Sequence, residues 1–300
     1  MHIITPSETE NAVLAELGDN FTAPGHNRHS SMMAEERQFL NALVLRKRPV
    51  KILEVGVNSG GSAAIILNAT KTVPGSVLHS IDISDHCDSE PERKIGEVVD
   101  AYPELKKRHR LYTGSIAASF MDAIGGDIDF CFIDTAHVLP GEILDFLMVF
   151  PYLRPGCTLV FHDTQLHTNY GFDGVATNCL LLSAIDGERL VPAAPDAAAF
   201  AAEREALRGD VHSPYFPFPN IGGIVPAADL QENIIGVFQL LTLRWAYQPS
   251  PEHVELMRKH FARFYDRYAV EFFEKVLIHK RAGQAAEDAA GAVAARCGQV

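Results

Sequence analysis

The sequence has few of the features that mark secreted or membrane-spanning proteins. Its five cysteines form no CxxC pair and are odd in number, so neither a paired-cysteine metal site nor a disulfide framework is predicted. The apolar runs are all far shorter than a membrane span. The first residues lack the basic region and the long apolar core of a secretory signal. We therefore expect a soluble, cytoplasmic protein with no membrane partner.

Basic charge is also scarce. The chain has 26 Lys and Arg residues against 38 Asp and Glu residues, which gives a net charge of −12. No basic stripe offsets this excess, and a nucleic-acid backbone is therefore not an expected partner. With 300 residues, of which 47% are hydrophobic, the chain is long enough to bury one large core or two modest ones.

The most informative stretch is glycine-rich and covers Lys51–Ser62, with the sequence KILEVGVNSGGS. It predicts a buried strand, a turn and the start of a helix capped by Ser62. Gly56, Gly60 and Gly61 allow positive φ angles and remove side chains, which lets a ligand approach the backbone. A strand, glycine turn and helix at the edge of a parallel sheet is typical of a nucleotide-binding crevice. The alternative is an ordinary turn that requires glycine.

Strands and helices alternate through the first half of the chain, which predicts an open, mostly parallel α/β sheet. The predicted strands cover residues 52–55, 76–83, 110–113, 128–134 and 158–163, with later short strands near 189–191 and 220–225. We predict an irregular N-terminal segment (1–31), an α/β domain (32–245, core 48–165), a helical region (246–281) and a flexible tail (282–300). The proline-locked segment 215–220 is a candidate lid over a substrate.

Polar residues follow most of the predicted strands, where parallel α/β sheets gather their functional groups. Asp82 ends the second strand, about 20 residues beyond Gly61, where a carboxylate can accept hydrogen bonds from ribose hydroxyls; capping the next helix is the alternative. Glu54 lies two residues before the first glycine. An acid there repels a diphosphate but suits an ammonium or a sulfonium. This favours S-adenosylmethionine over NAD.

These residues resemble a known family. Residues 54–62 together with Asp82 look like the first two motifs of the class I S-adenosylmethionine-dependent methyltransferases. The lead-in 32–40 and the blocks 129–137, 152–156 and 161–164 are similar to the metal-dependent catechol and caffeoyl-CoA type O-methyltransferases, and to a broad bacterial methyltransferase-like branch. The resemblance covers roughly residues 30–165. It implies a Rossmann-like, mostly parallel, seven-stranded sheet with helices on both faces and an elaborated helical C-terminal half.

The resemblance also implies roles for individual residues. Asp82 would hold the ribose of S-adenosylmethionine, and Gly114 and Ser115 would border the adenine. The full set of expected cofactor-binding residues is Glu54, Gly56, Asn58, Gly60, Gly61, Ser62, Asp82, Gly114, Ser115 and Asp134. Glu54, Gly56, Gly60 and Ser62 of this set would surround the methionine end.

The family binds a divalent metal ion through an Asp after strand four and an Asp-Asp or Asp-Asn pair after strand five. Asp134 matches the first position, while His162 and Asp163 occupy the pair. The histidine replaces an expected oxygen ligand. This replacement either leaves undecided whether a metal is bound or, since imidazole suits softer ions, moves the preference from magnesium toward manganese, iron or zinc. His137 follows Asp134 by three residues, where relatives carry a catalytic lysine or histidine. We therefore expect His137, His162 and Asp163 to be the catalytic residues.

The predicted activity is methyl transfer from S-adenosylmethionine to a hydroxyl of a small molecule, assisted by a divalent metal. A cofactor-binding relative with other chemistry and a non-catalytic binding or assembly protein remain alternatives. An NAD(P)-dependent oxidoreductase is disfavoured by Glu54 and the glycine spacing. Aromatic residues on the last predicted helix, from Phe261 to Phe273, indicate either core packing or the face of a homodimer.

Overall fold

The computed structural model describes residues 1–87, 90, 92–170, 176–193 and 219–297, and within them the chain forms one eight-stranded sheet. Along the sheet the strand order is β1-β7-β8-β6-β5-β2-β3-β4. Only β8 among them runs antiparallel to its neighbours, β6 and β7. The strands are β1 (His2–Ile4), β2 (Lys51–Val55), β3 (Val77–Asp82), β4 (His109–Thr113), β5 (Ile128–Ile133), β6 (Leu153–His162), β7 (Gly187–Pro192) and β8 (Ile221–Pro226).

Helices cover both faces of the sheet, because alternate residues of the central strands point to opposite sides. In β5, Cys131 and Ile133 face one apolar core, whereas Phe130 and Phe132 face the other. The helices are α1 (Glu8–Ala15), α2 (Asp19–Thr22), α3 (Ala34–Lys47), α4 (Gly61–Ala69), α5 (Glu97–Asp100), α6 (Pro103–Lys106), α7 (Met121–Ile124), α8 (Gly141–Val149), α9 (His167–Tyr170), α10 (Thr177–Ala184), α11 (Leu230–Asn233), α12 (Ile235–Leu240), α13 (Pro251–Phe264) and α14 (Arg267–Cys297). The predicted mostly parallel α/β fold is confirmed.

The N-terminal segment corrects the sequence prediction in two ways. Residues 1–31 were expected to be irregular, yet they contain β1, α1 and α2. β1 pairs in parallel with β7, with His2 opposite Leu190, and so adds an eighth strand to the expected seven. α1 begins with a capping box in which Ser7 and Glu10 satisfy each other's backbone N–H groups. This S-x-x-E pattern was the available signal for the helix.

The C-terminal region is helical, as α13 and α14 show. Phe261, Tyr265 and Phe273 lie in the apolar core, so they pack within the chain and do not form an exposed face. α14 continues to Cys297, so the predicted tail is helical from residue 282 to residue 297, and its flexibility remains a prediction. Alanine, which is abundant there, has the highest helix propensity. None of the described helices is both long and apolar enough to cross a membrane.

The topology brings the ends of several segments to one edge of the sheet. β2, β3, β5 and β6 are parallel neighbours in pairs, so their carboxyl ends share this edge. β8 runs the other way and starts opposite the end of β6, with Ile221 paired to His162. Asn220 therefore lies at the same edge. Residues 215–218 of the candidate lid lie outside the described residues, and the predicted domain boundaries remain predictions.

Candidate active site

A cavity of about 560 Å³ opens at this edge of the sheet. It collects most of the residues that the sequence singled out for cofactor binding and catalysis. Those lining it are Gly56, Asn58, Gly61, Ser62, Asp82, Ser115, Asp134, His137, His162 and Asp163. Glu54, Gly60 and Gly114 are not among the lining residues.

The glycines of the turn after β2 are required by the protein's own backbone. Gly56 has φ +87°, and a Cβ atom there would lie 1.7 Å from the backbone oxygen of Asp134. A Cβ atom on Gly61 would lie 2.1 Å from the backbone oxygen of His29, and one on Gly60 would lie 2.8 Å from Gly96 Cα. The absence of side chains at these glycines therefore lets neighbouring segments close around the turn. Gly56 and Gly61 also line the cavity, and the expectation that the glycines leave room for a ligand remains a prediction.

Glu54 lies beneath the cavity wall. Its carboxylate is fully buried and accepts hydrogen bonds from the hydroxyls of Ser62 and Ser80, each at 2.6 Å. Ser80 Oγ also lies 2.9 Å from His109 Nε2. Burial raises the pKa of Glu54 to about 7, against the opposing effect of the two hydroxyl donors. Glu54 thus orients Ser62, which itself lines the cavity.

Asp82 holds the glycine turn in place. Its Oδ2 atom accepts hydrogen bonds from the backbone N–H groups of Val57 (2.9 Å) and Asn58 (3.1 Å). Its Oδ1 atom accepts one from Ser84 N at 3.0 Å. A carboxylate offers about four lone-pair positions, so Oδ1 retains one for a further donor. Asp82 is therefore both a support for the turn and a residue of the cavity wall.

Three potential metal ligands meet where β5 and β6 end. The ligand atoms of Asp134, His162 and Asp163 all lie within 4.8 Å of one another. His162 Nδ1 is 3.2 Å from Asp163 Oδ2 and 3.5 Å from Asp134 Oδ1. Even so, this buried nitrogen forms no hydrogen bond of normal geometry with a described residue. A buried nitrogen left in this way between two carboxylates fits a bound cation.

His137 borders this group on the side of the cavity. It has φ 57°, and its backbone N–H donates a hydrogen bond to Glu142 Oε1 at 2.6 Å. Its Nδ1 atom lies 2.8 Å from Asp163 Oδ2, and its side chain is 42% exposed. Burial lowers the pKa of His137, but the charge of Asp163 outweighs it and holds that pKa well above its ordinary value. The ring therefore sits between the carboxylates and the open cavity.

The sequence analysis missed two residues that contact the predicted metal ligands. Glu36 of α3 is buried and lies 3.1 Å from His162 Nε2 through its Oε2 atom. Asn220 precedes β8 and donates from Nδ2 to Asp163 Oδ1 at 2.5 Å. Glu36 falls in the lead-in segment 32–40, whose likeness to the family was the only available signal. Asn220 ends the candidate lid segment 215–220, but its contact with Asp163 was not predicted, because it depends on how β8 pairs.

A further carboxyl, Asp145 of α8, lines the cavity and accepts a hydrogen bond from Thr135 Oγ1 at 2.8 Å. Burial raises the pKa of Asp145 to about 7. With Glu36, Asp82, Asp134 and Asp163 it makes five acidic residues around the cavity, and no Lys or Arg is among the described lining residues. This lining is suited to a ligand that carries positive charge.

Comparison with known proteins finds a family match that covers this edge of the sheet. Residues 53–164 match a family described as a methyltransferase domain. The predicted resemblance to methyltransferases is confirmed over these residues. The matched segment runs from within β2 to Thr164 and contains every residue that the sequence singled out for the site. Glu36 and Asn220 lie outside it.

The fold is also similar to solved structures. An O-methyltransferase from Bacillus cereus in complex with SAH is 15% identical, with 74% of this chain and 92% of that chain covered and a TM-score of 0.43. The O-methyltransferase TomG from Streptomyces achromogenes, involved in tomaymycin synthesis and in complex with SAM, is 15% identical, with 75% and 92% covered and a TM-score of 0.45. A putative O-methyltransferase from Klebsiella pneumoniae is 18% identical, with 62% and 84% covered and a TM-score of 0.42. No curated protein sequence matches the chain.

Proposed function

We propose that the protein transfers the methyl group of S-adenosylmethionine to a hydroxyl of a small molecule, with the help of a divalent metal ion. The observation that carries this proposal is the shared cavity. The glycine turn of the methyltransferase domain forms one part of its wall, and the group of Asp134, His162 and Asp163 forms another. A methyl donor and an activated acceptor can therefore meet in one enclosed space.

The cofactor occupies the side formed by the turn. Asp82 Oδ1 accepts a hydrogen bond from a ribose hydroxyl, since it retains a lone pair after binding Ser84 N. Asn58, Gly61 and Ser62 line the space for the methionine end, and Ser115 lines the space for the adenine. The acidic lining favours the positively charged sulfonium.

The residues present fit a divalent metal ion. Asp134 and Asp163 provide carboxylate oxygens, and His162 provides Nδ1, which lacks a hydrogen bond of normal geometry to any described residue. One imidazole and two carboxylates suit manganese, iron or zinc as well as magnesium. When bound, such an ion lowers the pKa of a hydroxyl and orients it.

His137 takes the proton from the acceptor hydroxyl. Its Nδ1 atom lies 2.8 Å from Asp163 Oδ2, and its Nε2 atom is the nitrogen that receives the proton. The carboxylates raise the pKa of His137 well above its ordinary value. A cation among them would offset their charge and so favour the neutral ring that a base requires.

A cytoplasmic location and a homodimer remain predictions.

The test is methyl transfer from labelled S-adenosylmethionine to panels of phenols, sugars and hydroxy acids, read by mass spectrometry. We expect a methylated product from at least one panel. His137→Gln should reduce turnover by about 10²-fold or more and leave binding of the demethylated cofactor unchanged. His279→Gln, an exposed histidine on α14, is the matched control and should retain turnover. Cofactor binding without product from any panel would favour the non-catalytic alternative.

A further inference from the structure

Glu36 is a buried carboxylate for which the proposed reaction has no role. It is 1% exposed, yet its oxygens accept three hydrogen bonds. The donors are the backbone N–H groups of Met33 and Asn220, each at 2.7 Å, and His162 Nε2 at 3.1 Å. A buried charge is costly unless it is paired and hydrogen-bonded. The neighbourhood of Glu36 is therefore built to keep a carboxylate at this place.

The contact with Glu36 determines which nitrogen of His162 carries hydrogen. An ionised carboxylate only accepts hydrogen bonds, so the facing Nε2 atom must be the donor. In the neutral ring, Nδ1 then holds the lone pair, and this lone pair faces the group formed with Asp134 and Asp163. A carboxylate that holds the distal N–H of a ligating histidine is the usual outer partner of a metal-bound imidazole.

We propose that Glu36 is a positioning residue that fixes His162 as an Nδ1 donor and thereby makes the site select a transition-metal ion over Mg²⁺. The inference rests on the metal site of the proposed function. Mg²⁺ requires oxygen ligands in near-ideal octahedral geometry and dehydrates reluctantly. Imidazole suits Zn²⁺, Fe²⁺ and similar ions, so a fixed nitrogen donor moves the selectivity toward them.

The same carboxylate connects the site to two segments outside the matched residues 53–164. Glu36 belongs to α3, and its Oε1 atom holds the backbone of Asn220 at the start of β8. The side chain of Asn220 in turn holds Asp163 Oδ1 at 2.5 Å. Two of the three metal ligands are thus oriented by residues that the family match does not contain.

The experiment is calorimetric titration of the full-length protein with Zn²⁺ and with Mg²⁺. Wild type should bind Zn²⁺ more tightly than Mg²⁺. Glu36→Gln should weaken Zn²⁺ binding by about 10- to 100-fold, because its amide no longer offers a carboxylate to Nε2. The matched control is Glu35→Gln, one residue earlier on the same helix, which should bind as wild type. His162→Asn, which exchanges the nitrogen donor for an oxygen, should lower the ratio of Zn²⁺ to Mg²⁺ affinity.

A second measurement needs no change at Glu36. In ¹⁵N histidine NMR of the Zn²⁺-loaded wild type, the His162 ring, assigned by its loss in His162→Asn, should show a protonated Nε2 and a metal-bound Nδ1. The opposite tautomer would overturn the inference even if Glu36→Gln failed to fold. Equal Zn²⁺ affinity in wild type and Glu36→Gln would overturn it as well.

Titration of every variant with the demethylated cofactor separates this inference from the proposed function. If wild type binds the cofactor but no ion, both the metal site and the role of Glu36 are contradicted, while methyl transfer is not. If ion binding is the same in wild type and Glu36→Gln, only the role of Glu36 is contradicted. Absence of both would contradict the proposed function itself.

Discussion

Replacing Glu54 by glutamine should remove a pH-dependent destabilisation of the fold. The carboxyl is fully buried in β2, and its hydrogen-bond partners among the described residues are the hydroxyls of Ser62 and Ser80. Burial raises its pKa from 4.5 to about 7 in the folded protein. Glutamine has nearly the same shape and can bond to both hydroxyls, but it does not titrate.

The direction and the magnitude of this pH effect on stability follow from proton linkage. Between pH 4.5 and about 7, folded Glu54 retains a proton that the unfolded chain has lost, so the free energy of unfolding falls as the pH rises. Each pH unit corresponds to about 1.36 kcal/mol. The stability of wild type relative to Glu54→Gln should therefore fall by roughly 3 kcal/mol between pH 4.5 and a pH above 7.

The assay is urea unfolding of both proteins from pH 4.5 to 8 in the presence of a chelator. The stability difference between variant and wild type is the relevant quantity, because Asp145 also titrates near neutral pH and affects both proteins alike. We expect this difference to move in favour of Glu54→Gln as the pH rises, with unchanged m-values. Two parallel stability curves would refute the reasoning.

Two further substitutions test the packing around the site. Gly56→Ala should cost more than about 4 kcal/mol in urea unfolding, because its Cβ atom would collide with the backbone oxygen of Asp134. The control Gly75→Ala, also at positive φ but in open space, should cost only about 1–2 kcal/mol. Equal losses of stability in the two variants would contradict the packing argument. Arg37→Met should lower the melting temperature strongly, since the buried guanidinium donates to backbone carbonyls of the segment before α3, with losses of about 1.5–3 kcal/mol for each bond to a charged group. Arg48→Met, at an exposed position, is the control. A similarly small fall in melting temperature in both variants would show that the hydrogen bonds of Arg37 do not stabilise the fold.

The sequence predicted the central strands and the edge where the site lies. β2, β3, β5 and β6 are short apolar runs that end in polar residues, and this local pattern persists because both faces of a parallel sheet are buried. Asp82, Asp134 and His162 could therefore be placed at one edge without any coordinates. The same pattern predicted that His137 and Asp163 lie at this edge, and both line the cavity.

The parts that sequence reasoning missed depend on contacts between distant segments. Glu36 meets His162 across 126 positions of the chain, and Asn220 reaches Asp163 only because β8 is antiparallel to β6. Gly61 also packs against the backbone of His29, which belongs to the segment before α3. No periodicity or spacing in the sequence encodes such pairings.

The N-terminal strand was missed for a different reason. β1 is three residues long and two of its residues are exposed, so it carries no strand signal of its own. Its pairing with β7 supplies the hydrogen bonds that define it. Edge strands of this kind are decided by their neighbours rather than by propensity.

Calorimetry with the demethylated product of S-adenosylmethionine is the decisive test of the proposed cofactor binding in this cavity. We expect saturable binding by wild type and no heat from NADH. Asp82→Ala should weaken the binding at least tenfold, about 1.4 kcal/mol, since it removes both the ribose acceptor and the support of the glycine turn. A flat titration of wild type, or an unchanged affinity in Asp82→Ala, would contradict the account.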